Sequence, residues 1–213
     1  MGFKLLGING SPKKPVGKSN SYHLLTILLN SAEKHGAIVS LINLNELEIQ
    51  QCTGCEICTT KPCPLDVDDD YPKLEKLILE NHGIVIASPS YWAGPPAILK
   101  NVIDRSRDNK MPKQLWNGKI FSALTVAGLR VGGQESVINS LINFALGHGM
   151  IIVGSTGHPW FNAPFPMGSM MYDIDVEGES KIQFRPVKKD PISTKDAELL
   201  GKRITEIGQR LFQ

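Results

Sequence analysis

An alternation of short apolar runs with longer amphipathic segments is the feature that most constrains the fold. Apolar runs of strand length occur at residues 3–9, 37–44, 83–88, 119–126 and 150–154. Segments with helical spacing occupy residues 19–33, 68–81, 97–107, 135–146 and 194–211. The run GIVIAS at 83–88 is apolar throughout, which is typical of the centre of a parallel sheet. The pattern predicts an α/β fold with a doubly wound, five-stranded parallel sheet and helices on both faces.

Composition indicates one domain spanning residues 1–213, with 41% hydrophobic and 21% charged residues. The net charge of +2 gives no electrostatic reason to expect nucleic acid or a membrane as a partner. The first apolar run is too short for a signal peptide, and no run approaches about 18 apolar residues. We therefore expect a cytoplasmic protein, in which thiols stay reduced.

The loop after the first strand, GSPKKPVGKSNS at residues 10–21, has the chemistry of an anion site. Ser11, Ser19, Asn20 and Ser21 offer hydroxyl and amide groups at the start of a helix, where the helix dipole is positive. The loop matches neither the dinucleotide fingerprint nor the magnesium-binding P-loop. The alternative is that Ser19 and Asn20 only cap the helix.

Two more loops follow strands at the edge where such sheets bind ligands. Residues 89–96 read PSYWAGPP, and residues 125–135 read TVAGLRVGGQE. Aromatic residues between proline and glycine suit a flat ligand, although Trp92 could instead pack on the sheet as a hydrophobic plug. Glycines allow the backbone to approach a ligand closely. Together with the anion site, these loops predict a pocket for flavin mononucleotide (FMN).

All four cysteines of the chain lie in the stretch CTGCEICTTKPC, residues 52–63. Cys52, Cys55 and Cys58, at two-residue intervals, can surround one 4Fe–4S cluster, and Cys63 must be the fourth ligand because no other thiol exists. Structural zinc and a redox disulfide are the alternatives. The loop follows the second strand, so we expect it at the same sheet edge as the flavin loops.

The motifs GSP with SNS, then PSYWAGPPAILKNVIDR, then a glycine-rich loop resemble the NAD(P)H-dependent FMN reductase family of flavodoxin-like proteins over residues 3–154. The resemblance implies the strand order 2-1-3-4-5. It implies that FMN contacts three sets of residues: Ser11, Ser19, Asn20 and Ser21 at the phosphate; Pro89, Ser90, Tyr91, Trp92, Ala93 and Gly94 at the ring; Thr125, Gly128, Gly132 and Gly133 at its edge. Asp104 and Arg105 match a family position associated with packing and subunit contact, and we assign them no chemistry.

One branch of that family, the iron–sulfur flavoproteins, carries the run C-x2-C-x2-C-x(4–7)-C, which Cys52, Cys55, Cys58 and Cys63 match. The resemblance thus implies an oxidoreductase that uses FMN and a 4Fe–4S cluster, with the flavin carrying the chemistry and no catalytic side chain. NAD(P)H or a ferredoxin-like protein is the expected donor, and a small molecule or a protein the acceptor. A flavin–cluster electron carrier and a cluster-free reductase remain alternatives.

Residues 155–192 fit no strand–helix pattern and are rich in proline, aromatic residues and methionine. Their apolar character is wrong for a disordered linker. It favours a loop that folds onto its own protein or a neighbouring subunit over a substrate lid. For residues 160–172 we expect burial against another subunit, in a homodimer or homotetramer.

Overall fold

The computed structural model describes residues 2–111, 113–155, 164–174 and 182–212. Its strands are β1 (Lys4–Asn9), β2 (Ile38–Asn43), β3 (Gly83–Pro89), β4 (Ile120–Ala127), β5 (Ile151–Ile152), β6 (Met167–Ser169), β7 (Met171–Ile174) and β8 (Ile182–Phe184). Its helices are α1 (Asn20–Lys34), α2 (Tyr71–Glu80), α3 (Ala97–Arg105), α4 (Arg107–Lys110), α5 (Gln134–Gly147) and α6 (Pro191–Leu211).

The main sheet has the order β2-β1-β3-β4-β5, and the pairs along it are parallel, which confirms the predicted topology. The two central strands, β3 and β4, are buried almost throughout, as their continuous apolar runs predict. The chain reverses direction across the sheet between β1 and β3. Loops at the carboxyl ends of these strands therefore border the crevice where such folds bind ligands.

The fifth sheet position is shared by two short strands, which the sequence did not predict. Ile151 and Ile152 pair with the start of β4, whereas β6 pairs with its end at Thr125–Ala127. The predicted strand at 150–154 is thus too long, because the chain leaves the sheet after β5 and returns as β6. The remaining strands, β7 and β8, form a separate antiparallel pair.

Part of the predicted insertion packs on its own chain. Phe165 is buried, and Met167 and Met170 pack against the two core clusters. Phe165 is thus covered by its own chain, whereas Met167 and Met170 are only half-buried, and no described contact tests their burial against another subunit. Trp160 and Phe161, which the same prediction included, lie outside the described residues, and the oligomeric state stays a prediction.

Helices cover both faces of the sheet, as predicted. Helices α1 and α6 lie on one face, where Leu24 and Leu28 join Leu200 and Ile204 in a single core cluster. Their axes approach closely at Gly201, where a Cβ would overlap the Leu28 carbonyl. Helices α2, α3 and α5 supply the core of the other face.

Helix boundaries follow local capping chemistry. Helix α6 begins three residues before the predicted start, because the Asp190 side chain accepts a hydrogen bond from the Ile192 amide at 3.2 Å. The segment predicted as one helix at 97–107 is divided at Ser106, whose hydroxyl donates to the Ile103 carbonyl at 2.6 Å. No helix in the described part of the chain combines the length and apolar character needed to cross a bilayer.

Candidate functional site

A cavity of 210 Å³ opens at the carboxyl ends of β1, β3 and β4. Its walls bring together residues from loops that are far apart in sequence: Ser11, Lys13, Ser19, Asn20, Ser21, Pro89, Ser90, Tyr91, Val126, Ala127, Gly128 and Met170. All four residues of the predicted phosphate loop are among them. We call this space the phosphate-end cavity.

The amino terminus of α1 forms one wall of the phosphate-end cavity. The Ser19 hydroxyl accepts a hydrogen bond from the Tyr22 amide at 3.2 Å, so Ser19 does cap the helix. The first amides of a helix lack intrahelical acceptors, and those of Asn20 and Ser21 remain for an anion. This wall therefore has the polarity that a phosphate group requires.

Asn20 has a second contact that the sequence did not reveal. Its side-chain oxygen accepts from the Val187 amide at 2.9 Å, and its nitrogen lies 2.9 Å from the Met170 sulfur. The side chain thus ties α1 to the segment around β6 and the start of α6. Because the side chain is engaged in these contacts, the backbone amide of Asn20 is the group that can bind the predicted phosphate.

Lys13 also lines the phosphate-end cavity, although the sequence reasoning did not select it. Its backbone is fixed on both sides: its amide donates to the Ser11 hydroxyl at 3.4 Å, and its carbonyl accepts from Asn45 at 2.5 Å. The paired lysines in GSPKKP were the available signal. A cation beside the helix terminus strengthens the positive potential there.

A second cavity of 460 Å³ adjoins the first. The two share Ser90, Ala127 and Gly128, and the second is also lined by Trp92, Ala93, Leu129, Val131, Gly132 and Gly133. We call it the ring-end cavity. Trp92 is 103% exposed here, so the alternative in which it plugs the sheet is wrong. The predicted ring and edge residues, apart from Thr125 and Gly94, line one or both cavities.

Residues 91–94 form a tight turn in which Tyr91 and Gly94 exchange backbone hydrogen bonds of 2.9 and 3.0 Å. Trp92 and Ala93 occupy the left-handed region, with φ of 51° and 59°. Such a conformation costs a non-glycine residue about 1–2 kcal/mol. The Ser90 amide donates to Val126, so within 90–94 only the amides of Trp92 and Ala93 make no bond to another described residue.

The glycine-rich loop after β4 locks against this turn. Gly133 has φ of +83°, and a Cβ there would overlap Ala93. The Ser90 hydroxyl donates to the Gly132 carbonyl. Gln134 accepts from the Gly132 amide at 2.7 Å and donates to the Leu129 and Arg130 carbonyls at 3.2 Å. Contacts within the protein thus define the shape of the loop, and the Gly132 amide is engaged by Gln134.

Thr125 was predicted at the edge of the flavin but lies inside β4. Its side chain is fully buried, lines neither cavity, and its hydroxyl has no hydrogen-bond partner in the structure. Residues in a central strand point alternately to the two faces, and Thr125 faces the helix layer on the side of α5. The sequence pattern placed the end of the strand too early.

The cysteine loop, residues 52–63, is open and irregular. Cys55 is exposed, and Cys52, Cys58 and Cys63 are half-buried. A hydrogen bond from the Ile57 amide lowers the pKa of the Cys55 thiol. Burial, and then the negative charge of Asp108, raise the pKa of Cys58. Four thiols are a suitable donor set for iron, but among the described residues no three Cys, His, Asp or Glu side chains are arranged to hold a metal.

Arg105 anchors both ends of the cysteine loop, a role that the sequence reasoning missed. Its side chain is 1% exposed and pairs with Asp66 at 2.5 Å and with Asp69. It also donates to the Gln50 carbonyl at 3.4 Å and lies over the Tyr71 ring at 5.0 Å. The carboxylates belong to the stretch DVDDD at residues 66–70, which was the available signal.

The cysteine loop lies beside α3 and α4. The Ile49 carbonyl accepts from Asn101 at 3.0 Å, Gln50 contacts Arg105, and Glu56 pairs with Arg107 at 3.3 Å. These contacts place the start of the loop near the carboxyl-terminal end of α3, and its position at the flavin edge stays a prediction. Helix α3 begins beside the flavin loops and spans roughly 13 Å at 1.5 Å per residue.

Comparison with known proteins agrees with this architecture. The family model for NADPH-dependent FMN reductase matches residues 3–159. An iron–sulfur flavoprotein of Archaeoglobus fulgidus is 37% identical over 207 residues, covering 97% of this chain and 96% of that protein. Another from Methanocaldococcus jannaschii is 34% identical, covering 96% and 97%.

Among solved structures, RosB with a bound 8-demethyl-8-formylriboflavin-5'-phosphate intermediate aligns with a TM-score of 0.73 at 14% identity. The alignment covers 98% of this chain and 80% of RosB, and it supports the fold. The chain is therefore an oxidoreductase flavoprotein with a flavodoxin-like fold. It belongs to the NADPH-dependent FMN reductase family.

Proposed function

We propose that the protein transfers electrons from a reduced donor, through FMN, to an iron–sulfur cluster held by Cys52, Cys55, Cys58 and Cys63, and on to an acceptor. The observation that supports this function best is the pair of adjoining cavities that share Ser90, Ala127 and Gly128. One ends at a helix amino terminus and the other is open and lined by glycines. This shape suits a ligand with a phosphate at one end and a flat ring at the other.

The residues divide the work of holding FMN. Ser11, Ser21 and the first amides of α1 hold the phosphate, and Lys13 contributes positive charge. The turn at residues 91–94 and the loop at residues 128–133 position the ring. Bound FMN accepts two electrons together and releases them one at a time. The amides of Trp92 and Ala93 stabilise negative charge near the ring, in the manner of preorganised donors.

The four cysteines supply the ligands for the cluster. The names of the two archaeal relatives support this assignment, since both are called iron–sulfur flavoproteins. The four thiols are not gathered in the described conformation, so the loop closes when metal binds. A second candidate, a reductase that uses FMN alone, is favoured by that same separation of the thiols.

Metal analysis separates the two candidates. Protein purified without oxygen is expected to contain about four irons and four sulfides per chain beside one FMN. Cys55→Ser is expected to lose the cluster and keep FMN, because the flavin loops contain no cysteine. Stoichiometric zinc in the wild-type protein, or full single-electron transfer by a cluster-free variant, would overturn the proposal.

The phosphate end is tested by replacing Ser11 and Ser21 together with alanine. Each lost hydrogen bond to a charged phosphate is expected to cost about 1.5–3 kcal/mol of FMN binding energy. Ser40→Ala is a matched control, because the Ser40 hydroxyl lies in β2 without a partner in the structure. Unchanged affinity for FMN in the double variant would place the phosphate elsewhere.

Rapid mixing identifies the donor. Oxidised protein is mixed in turn with NADPH, NADH and a reduced ferredoxin, and bleaching of the flavin absorbance is followed. The donor is the reagent that reduces the flavin within the turnover time. Reduction by none of the three would remove both donor classes from the proposal.

A further inference from the structure

A third cavity, of 430 Å³, lies behind the phosphate-end cavity and shares Lys13, Asn20 and Met170 with it. Its other walls come from the loop before α1, the first turn of α1 and the segment from β8 to α6: Gly17, Lys18, His23, Phe184, Arg185, Pro186 and Lys188. We call it the basic cavity. The phosphate-end cavity therefore shares walls with both the ring-end cavity and the basic cavity.

Positive charge dominates the basic cavity. Lys13, Lys18, Lys188 and Arg185 line it, and among the described residues that line it none is a carboxylate. Arg185 pairs with Asp190 at 3.7 Å, whereas the ammonium groups of the three lysines make no ion pair with a described residue. A concave surface that gathers cations of one sign focuses a positive potential and attracts anions.

Phe184 gives the basic cavity an aromatic surface. The side chain lines the cavity and is 55% exposed, although it belongs to β8. An exposed aromatic ring beside a group of cations suits a ligand that joins a flat ring to an anion, since the ring stacks while the anion pairs. A nucleotide has both parts.

We propose that the basic cavity binds the phosphates and base of a nucleotide, beside bound FMN. Lys18 and Lys188 pair with the phosphates, and the base packs against Phe184. Two sources share this chemistry: a free adenine nucleotide, and the adenosine end of a pyridine dinucleotide. The second source rests on the proposed function, because the rest of the dinucleotide then extends over the outer side of bound FMN towards the flavin ring.

The first experiment titrates FMN-loaded protein with ADP in a calorimeter at low salt, while flavin fluorescence reports any released FMN. ADP is expected to bind without releasing FMN. The double variant Lys18→Gln with Lys188→Gln is expected to bind ADP about 100-fold more weakly, roughly tenfold for each charge-assisted hydrogen bond. Lys13 is left intact because it lines the phosphate-end cavity.

The control double variant is Lys34→Gln with Lys73→Gln, which removes the same net charge at exposed lysines outside the cavity. It is expected to bind ADP as the wild type does. Equal weakening in both double variants would show a general charge effect and overturn the proposal. Absence of ADP binding, or release of FMN by ADP, would overturn it too. The FMN content, measured separately, shows whether the flavin site itself is intact.

A second experiment tests the aromatic contact and the source. Phe184→Leu is expected to weaken ADP about tenfold while leaving pyrophosphate binding unchanged, since stacking contributes roughly 1–3 kcal/mol. Equal binding of ADP to this variant and the wild type would contradict the base contact. NADPH that competes with ADP, with a KM raised by the Lys18 and Lys188 changes at constant kcat, identifies the dinucleotide. ADP binding without competition identifies a free nucleotide.

Discussion

The flavin edge and the cysteine loop are built in opposite ways. At the flavin edge, the loops after β3 and β4 are held together by direct contacts, with Gly133 packed against Ala93 and Ser90 hydrogen-bonded to Gly132. In the cysteine loop the two ends are held by Arg105, while the thiols between them remain apart. Contacts within the protein fix the loops at the flavin edge, whereas in the cysteine loop they fix only the two ends.

This difference affects how the binding free energy of each cofactor is divided between affinity and ordering of the protein. A preformed pocket loses little conformational freedom on binding, so most of the contact energy appears as affinity. A loop that must gather its ligands spends part of the binding energy on ordering its backbone, at about 1–2 kcal/mol per residue fixed. At the flavin edge the corresponding cost is the backbone strain at Trp92 and Ala93, which arises when the protein folds and not when the ligand binds.

The largest expected effect comes from Arg105→Met, which removes the anchor of the cysteine loop. Asp69 then remains buried without its cation, and the free energy of unfolding should fall by about 3–5 kcal/mol in urea denaturation. Lys100→Met, which breaks the exposed 2.6 Å pair with Asp104, should cost under about 1 kcal/mol. A similar small loss for Arg105→Met would show that the loop does not depend on this anchor.

The second effect is a pH dependence of stability at the junction of α3 and α4, beside the cysteine loop. His148 lies 2.9 Å from the Ser106 hydroxyl at the junction of α3 and α4, and burial, followed by Lys110, lowers its pKa to about 4. Between pH 6.5 and 4, His148 is protonated in the unfolded chain but stays neutral in the folded chain. Stability present above pH 6.5 should therefore fall by up to about 3 kcal/mol as the pH reaches 4.

Denaturation of the wild type and of His148→Gln across pH 4–7 isolates this contribution, because other groups titrate in both proteins. The variant should show a flatter profile in this window. Parallel profiles would mean that His148 does not titrate as its burial requires.

A smaller effect is expected from Gly133→Ala at the flavin edge. The added methyl overlaps Ala93 and the residue keeps a positive φ, so stability should fall by about 2–3 kcal/mol and FMN affinity with it. Gly118→Ala is the control, since Gly118 has φ of +78° and open space around its Cβ position. The free energy of unfolding of this control should fall only by the cost of a positive φ, about 1–2 kcal/mol. Equal losses in the two variants would show that the flavin loops are not locked by this contact.

The smallest effect should come from Cys55→Ser in protein free of metal. The Cys55 side chain is exposed, so thermal unfolding should shift by no more than about 0.5 kcal/mol in free energy. A much larger loss in metal-free protein would show that the loop is already ordered around its thiols, which would remove the contrast with the flavin edge.

The sequence predicted the features that depend on local pattern. Apolar runs located four of the five main strands closely, and the glycine and serine loops predicted most of the residues that line the phosphate-end and ring-end cavities. Each of these signals lies within a few consecutive residues. The same local pattern wrongly placed Thr125 in the loop after β4, because the pattern does not show at which residue the strand ends.

Features that depend on distant residues escaped the sequence. Arg105 meets carboxylates 36 and 39 residues away, and Asn20 meets Val187 across 167 residues. The position of the cysteine loop beside α3 follows from such contacts, so it could not be predicted. The exposure of Trp92 was equally hidden, because it results from a turn whose φ angles favour glycine, a residue absent from those two positions.

The divided fifth strand has a consequence for how the family can vary in length. Strand β4 is covered first by β5 and then by β6, so the sheet is complete on either side of the segment that joins them. Each short strand pairs with β4 on its own, so residues added between β5 and β6 leave both pairings, and with them the register of the sheet, unchanged. A recognition peptide can therefore be grafted between the two strands without shifting the pairing of β4.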